Sequence, residues 1–351
     1  MALLATAAAQ DPSFGVLTLQ YGLPMPLSKD VIIAIRAYVP VSPSGSAAGA
    51  VEGREPRSTD GAFAFAAVLY AHGGCFSEGD VTSHEDMARD LAARGLLVIS
   101  PGFRQGAAHP HPTALRDLGT VSLRARNYTD LPFGVAGSSS GGYFALALAA
   151  DPARYTAPHP QREWRPFYFP FSFVLVFCPV FDPLARARYL RACVAGDAAP
   201  AAHHSPERAA EMLRQQEGYF SYSDAKMRRA AAAVAEPMYA TPVFAVLGGA
   251  DKNVPASVTA PLLAMADATL VRGRGGHELQ SRLDAGDLDV VLAWLRRAVA
   301  DPPAELVAET AKVARAWAYR REEDARIRAA RDAEDDAAPA KRARPDADSE
   351  L

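Results

Sequence analysis

Apolar residues fall along the chain in two alternating patterns. A strand covered on both faces reads as an unbroken apolar run, whereas a helix lying on a sheet repeats its apolar positions every three or four residues. Phe63 to Ala71, Leu96 to Ser100, Leu131 to Ala136, Phe171 to Val180 and Pro242 to Gly248 are runs of the first kind, and Ala268 to Val271 is a shorter one. Between them lie helical patterns. Ser83-His84-Glu85-Asp86 resembles a capping box ahead of Met87, Leu91 and Ala92, with Gly95 as a stop. Thr113 to Asn127 reads as a helix, as does Gly142 to Ala150, where Tyr143, Phe144, Leu146 and Leu148 share a face. Asp287 to Ala300 turns Val290, Val291, Trp294 and Leu295 inward. Two opening strands, Phe14 to Gln20 and Val31 to Val39, are separated by Gly22, Pro24 and Pro26. Strand, helix and strand at these spacings form βαβ units, so the pattern predicts an α/β fold, a mostly parallel central sheet flanked by helices.

The pattern breaks in four places. Val41 to Gly61 and Asp151 to Pro170 read as loops from their proline, glycine and polar content. Asp182 to Thr241 is a long insertion between two strands, with helical patches and the aromatic cluster Tyr219, Phe220 and Tyr222. Ligands of an open α/β sheet bind beyond the carboxyl ends of its strands, so an insertion there is placed to roof a pocket as a cap. The aromatics equally suit packing the insertion onto the body. From Asp301 the chain becomes a charged helix and then, from Asp332, a polar tail. The division expected is one catalytic domain over residues 1–300, with the cap insertion at about 182–241, and a helical, then disordered tail over 301–351.

Composition narrows the class. With 351 residues, 49% of them hydrophobic, the chain is ample for one large core. A formal net charge of −3 gives no electrostatic case for a nucleic-acid partner. Cys75, Cys178 and Cys193 form neither a disulfide framework nor a metal-ligand spacing, which suits a reducing compartment. Met1 to Gln10 lacks the basic start of a signal peptide, and no run reaches the length that spans a bilayer. A cytoplasmic protein is expected. The cluster Lys341-Arg342-Ala343-Arg344 has the look of a nuclear address, but acidic residues surround it and a solvated tail is the simpler reading.

Candidate chemistry sits where the apolar run ending at Ala136 meets the helix beginning near Gly142. Val135-Ala136-Gly137-Ser138-Ser139-Ser140-Gly141-Gly142 places glycines two residues before and two after Ser139. A nucleophilic serine on a sharp strand-to-helix turn needs small residues at those positions, and neither Ser138 nor Ser140 has both. An alcohol also needs a base to take its proton and an acid to hold that base. His277 follows the last short strand across Arg272-Gly273-Arg274-Gly275-Gly276, and Asp251 follows the preceding strand through Gly248-Gly249-Ala250. Serine, acid and base therefore arise from one edge of a parallel sheet, in the chain order that accompanies this turn. Negative charge developing on a carbonyl oxygen calls for free N–H donors. Ser140, next after the serine, offers one, and His72-Gly73-Gly74-Cys75 offers others, with Gly74 and Cys75 ahead of Gly73. His109 and His111 lack a third ligand by spacing, and His203-His204 reads as exposed. Neither a metal nor an organic cofactor is expected, since no phosphate-binding or dinucleotide motif competes.

His72-Gly73-Gly74-Cys75-Phe76 with Gly79-Asp80, His84, Leu91-Ala92-Ala93-Arg94-Gly95, His109-Pro110-His111-Pro112-Thr113-Ala114-Leu115 ahead of Asp117, and the serine turn together resemble the α/β-hydrolase superfamily. More narrowly they are similar to its esterase branch related to hormone-sensitive lipase, over most of residues 30 to 300. That resemblance implies hydrolysis of carboxylic esters through an acyl-enzyme, with a small-molecule ester as partner and a cap shaping the acyl pocket. The chain departs from the family at Cys75, usually glycine, at Pro101-Gly102-Phe103-Arg104, usually Asp-Tyr-Arg, and at Ser138 and Ser140, usually acidic and alanine. A peptidase or amidase on the same scaffold, and a non-catalytic ligand-binding relative, stay open at this point. The acyl and alcohol groups and the oligomeric state are not written in the sequence.

Overall fold

The computed structural model describes residues 15–25, 28–41, 64–126, 129–155, 169–197, 204–235 and 241–315, with positions 326 and 329. The segments around Met1 to Gln10, most of Val41 to Gly61, His203 and Lys341 to Arg344 lie outside the described residues.

Eight strands are described: β1 (Gly15–Met25), β2 (Ser28–Val41), β3 (Ala66–Ala71), β4 (Leu96–Pro101), β5 (Phe133–Ser138), β6 (Val174–Phe177), β7 (Val243–Gly248) and β8 (Ala268–Arg272). They form one sheet in the order β1-β2-β4-β3-β5-β6-β7-β8. β1 and β2 pair antiparallel, β2 joins β4 antiparallel, and every pair from β4 to β8 is parallel. The helices are α1 (Glu85–Ala92), α2 (Thr113–Ala125), α3 (Ser140–Ala150), α4 (Pro152–Tyr155), α5 (Pro183–Ala195), α6 (Pro206–Tyr219), α7 (Asp224–Ala235), α8 (Ala256–Leu263) and α9 (Ala285–Ala300).

The unbroken apolar runs have the cause expected of them. All six residues of β3 are buried, and alternate side chains enter different cores. Ala67, Leu69 and Ala71 join the core that takes in α2, α3 and α7, whereas Ala66, Val68 and Tyr70 join the one that takes in α1 and α9. Full burial of each leucine, valine or phenylalanine stabilises the fold by roughly 1.5–3 kcal/mol, so two such layers hold the central strands rigidly. The aromatics of the insertion divide. Tyr219 and Phe220 are fully buried against Phe76, Tyr143 and Phe144, whereas Tyr222 is 67% exposed. The pair therefore packs α6 onto the body.

Four expectations are corrected, the first at α9, where Val290, placed inward by the pattern, is 50% exposed beside the buried Val291. β1 does not stop before Gly22 but continues through Gly22 and Pro24, which an edge strand tolerates because one row of its N–H groups has no ladder to complete. β5 begins at Phe133 and runs to Ser138, later than the apolar run suggests, because Gly137 and Ser138 are hydrogen-bonded into the sheet beside β6. The capping box at Ser83 is absent: α1 starts behind His84 in the left-handed conformation (φ 63°) with no side-chain cap, and Ser83 Oγ accepts from the Asp80 N–H instead.

The carboxyl ends of β3, β5, β7 and β8 open on one edge of the sheet. β8 is the outermost strand there, and none of its five residues is buried; Val271 is 54% exposed. Beyond α9, residues 304–315 are helical, with Leu306 and Val313 buried. Among the described residues, no helix is long and apolar enough to cross a membrane.

Candidate active site

Ser139 occupies the turn between β5 and α3 with φ 53° and ψ −120°. A non-glycine residue in that region costs on the order of 1–3 kcal/mol, which the surrounding contacts must over-determine. They do so through the two flanking glycines. A Cβ on Gly137 would lie 2.2 Å from the Gly141 carbonyl oxygen, and one on Gly141 would lie 2.1 Å from that of Ala71. The turn is thus closed upon itself and against the end of β3. Ser139 N–H donates to Phe177 O, and its own carbonyl accepts from Val180 and Gly142.

The acid and base loops are stitched together. Gly249 N–H donates to Arg272 O and Ala250 N–H to Gly275 O. At Gly248 a Cβ would stand 2.6 Å from both the Gly275 and Gly276 oxygens, so only glycine permits this approach. Asp251 Oδ1 accepts from the Asn253 and Val254 N–H groups at 2.8 and 2.9 Å, which leaves Oδ2 to meet His277 Nδ1 at 2.7 Å. The other ring nitrogen, Nε2, lies 3.1 Å from Ser139 Oγ. The Asp251 side chain is 1% exposed and that of His277 12%, so the acid is interior and the imidazole is where the chain of bonds touches solvent.

The turn after β3 faces the same place. Gly141 abuts the carbonyls of Ala71 and His72, and a Cβ on Gly73 would be 3.1 Å from Ser138 O. Among the described residues, the N–H groups of Gly73, Gly74, Cys75 and Ser140 donate to no protein acceptor. Gly74 takes φ 129° and Cys75 φ 51°. His72, buried and stacked on Phe103 at 4.2 Å, hydrogen-bonds the Gly73 oxygen through Nδ1 and stiffens the turn from below. Burial lowers its pKa to about 4, so it is neutral at neutral pH.

Several neighbours carry no signal in the sequence. Cys178 Sγ lies with the Asp251 carboxylate and the His277 ring within a 4.8 Å group, a donor set of the kind that a soft divalent cation accepts. Burial, and then the Asp251 charge, push the Cys178 thiol up, and it stays protonated. Arg186 on α5, fully buried, donates to Asn253 O, to Gln216 Oε1 and to Cys75 Sγ, touching the acid loop and the glycine turn at once. Tyr70, Ser138 and the Gln280 carbonyl form a further buried contact beside the elbow. His111 Nε2 pairs with Tyr143 OH, and His109 is exposed. Arg104 grips Asp117 through Nε and Nη2, at 3.0 and 2.7 Å.

Residues 68–258, more than half of the chain, match a protein family described as having the alpha/beta hydrolase fold. His277 lies outside that match and enters the site through the distances above. The chain is 32% identical over 130 residues to the carboxylic ester hydrolase LipN of Mycobacterium tuberculosis, covering 33% of this chain and 34% of that protein. It is 34% identical over 89 residues to esterase LipI of the same organism, covering 23% and 28%. The matches thus span about a third or less of these curated relatives. Among solved structures, the esterase of Pyrobaculum calidifontis superposes with a TM-score of 0.54 at 18% identity, covering 81% of this chain and 85% of that one. Esterase LipW of Mycobacterium marinum gives 0.53 at 22% identity, covering 82% of each. With the family match over the elbow and the acid loop, and the same architecture in solved structures, the chain belongs to the alpha/beta hydrolase fold family.

Proposed function

We propose that this protein is a serine hydrolase of carboxylic esters, acting on small or medium substrates through an acyl-enzyme on Ser139. The observation that carries the reading is the unbroken contact from Ser139 Oγ through His277 to Asp251, at 3.1 and 2.7 Å. The relatives named as ester hydrolases and esterases support the same substrate class.

Ser139 Oγ attacks the carbonyl carbon while His277 Nε2 takes its proton, and Asp251 holds the resulting imidazolium through Nδ1. The electron pair displaced onto the carbonyl oxygen is met by N–H groups of Gly73, Gly74, Cys75 and Ser140. Each such donor is worth roughly 10²- to 10³-fold in rate, because it is already oriented when the charge forms. His277 then gives its proton to the departing alkoxide, the ester C–O bond breaks, and water repeats the sequence on the acyl-enzyme. The helices α5 to α7 are read as the cap, and the segment from residue 301 carries none of the reacting groups. Three cysteines without a disulfide suit a reducing, cytoplasmic setting.

Replacing Ser139 with alanine is expected to abolish turnover of p-nitrophenyl esters and labelling by a fluorophosphonate probe, with the thermal midpoint unchanged. Wild-type turnover in that variant overturns the assignment. Faster cleavage of anilides than of esters moves the protein to the amidases, and a wild-type chain that stays unlabelled is a binding protein.

A further inference from the structure

Ser138 lacks the glycine frame of a nucleophile, yet its hydroxyl is fully buried and bonded on both sides. Its Oγ lies 2.6 Å from the Gln280 carbonyl oxygen and 2.5 Å from Tyr70 OH. The carbonyl can only accept and lies much nearer Ser138 than Tyr70 OH, 2.6 against 3.4 Å, so it takes the Ser138 proton and Tyr70 donates to the nearer Ser138 oxygen. The result is a one-way chain, Tyr70 O–H to Ser138 O–H to Gln280 C=O. Tyr70 is itself fully buried on β3, and burial raises its pKa, so the phenol keeps the proton the chain requires.

Gln280 ends a one-turn 3₁₀ helix, His277–Gln280, whose first residue is the base. The next residue, Ser281, is held in turn by His84, whose Nδ1 lies 2.9 Å from Ser281 Oγ. Before the turn come Arg272-Gly273-Arg274-Gly275-Gly276, three glycines in five residues. That approach is tied to the acid loop by the Gly249 and Ala250 N–H groups, so backbone bonds hold the near end of the turn. The turn is thus held at both ends, and at the far end the side chain that holds it belongs to the neighbour of Ser139.

We infer that Ser138, oriented by Tyr70, is a positioning residue that fixes the distance of His277 from Ser139 by anchoring the carboxyl end of the histidine's turn. The inference rests on the ester-hydrolase reading of the site. One elbow thereby carries the nucleophile on one residue and gauges its base with the preceding one. Anchoring matters because a displacement of about 1 Å in a reacting group costs up to about 10²-fold in rate.

The test uses the full chain with p-nitrophenyl butyrate and a fluorophosphonate probe. Ser138→Ala is expected to lower kcat about tenfold with KM within about twofold, and to slow the labelling rate in proportion while labelling still reaches one probe per chain. Ser138→Thr, which keeps the hydroxyl, restores most of the rate. Tyr70→Phe, which leaves the Ser138 bond to Gln280 but frees its direction, gives a smaller drop in kcat. It also serves as the probe if Ser138→Ala fails to fold. Adding it to Ser138→Ala costs little more, since both act through one bond. Unchanged kcat and labelling rates in both single variants, with only the thermal midpoint lowered, overturn the positioning role and leave the hydrolase reading standing. A wild-type chain that neither turns over the ester nor accepts the probe overturns both.

Discussion

Three histidines away from the reacting groups, or one step behind them, are held neutral by the fold. Burial lowers His72, His84 and His111 to about 4 from an ordinary 6.5, and at His84 the charges of His72 and His277 add to it. With folded values below the unfolded one, the unfolded chain binds more protons between about pH 6.5 and 4. Their neutral burial therefore weighs nothing against stability above pH 6.5, and stability is lost as pH falls from there toward 4. Each histidine contributes a slope of about 1.4 kcal/mol per pH unit inside that window. Urea midpoints are expected to be flat from pH 8 to 7 and to drop steeply by pH 5, and His111→Gln to lessen that drop by one proton's worth; a flat profile down to pH 5 would refute this. The residues brought together at the site were legible because a strained serine must be flanked by glycines, and because loops at strand ends must supply its partners. Ser138, Tyr70 and Arg186 were not. Each acts through contacts with segments distant in the chain, and one hydroxyl or guanidinium leaves no periodicity or spacing to read.

Helices and strands were legible as kinds rather than as limits. α5 and α6 carry local start signals, with Asp182 and Ser205 accepting from N–H groups of the first turn and proline following each. At α1 the same signals misled, because His84 is turned toward Ser281 and occupies the capping position in a left-handed conformation. The role of α5 also lay beyond sequence reasoning. Its Arg186 binds α6 through Gln216 and the acid loop through Asn253 O, with no carboxylate within ion-pair distance among the described residues. Desolvating a guanidinium costs several kcal/mol, and hydrogen bonds to a charged group return about 1.5–3 kcal/mol each, so the two nearly cancel. Arg186→Met is accordingly expected to shift the thermal midpoint by only a few degrees while lowering kcat/KM about tenfold, as the Asp251 loop loses its anchor. A large fall in midpoint with intact kcat/KM would assign Arg186 to the helices alone.

At the scale of the molecule, repeated apolar runs separated by amphipathic helices dictated a parallel sheet clothed on both faces, and the architecture follows. What they left open was lateral order, because strand neighbours are chosen by the packing of helices across the sheet and not by local pattern. That order has a consequence for the site. Ser139 hangs from β5, with β3 and β6 on either side, whereas His277 hangs from β8, the half-exposed margin. Local opening starts where least surface is covered. Warming should therefore detach His277, the proposed proton acceptor, while the interior is still native: the proposed esterase activity is expected to fade at a lower temperature than far-ultraviolet circular dichroism, and to return on cooling from that interval. Coincident loss of both signals would show that margin and interior melt as one. Such a molecule carries its own thermal fuse at the rim of the sheet.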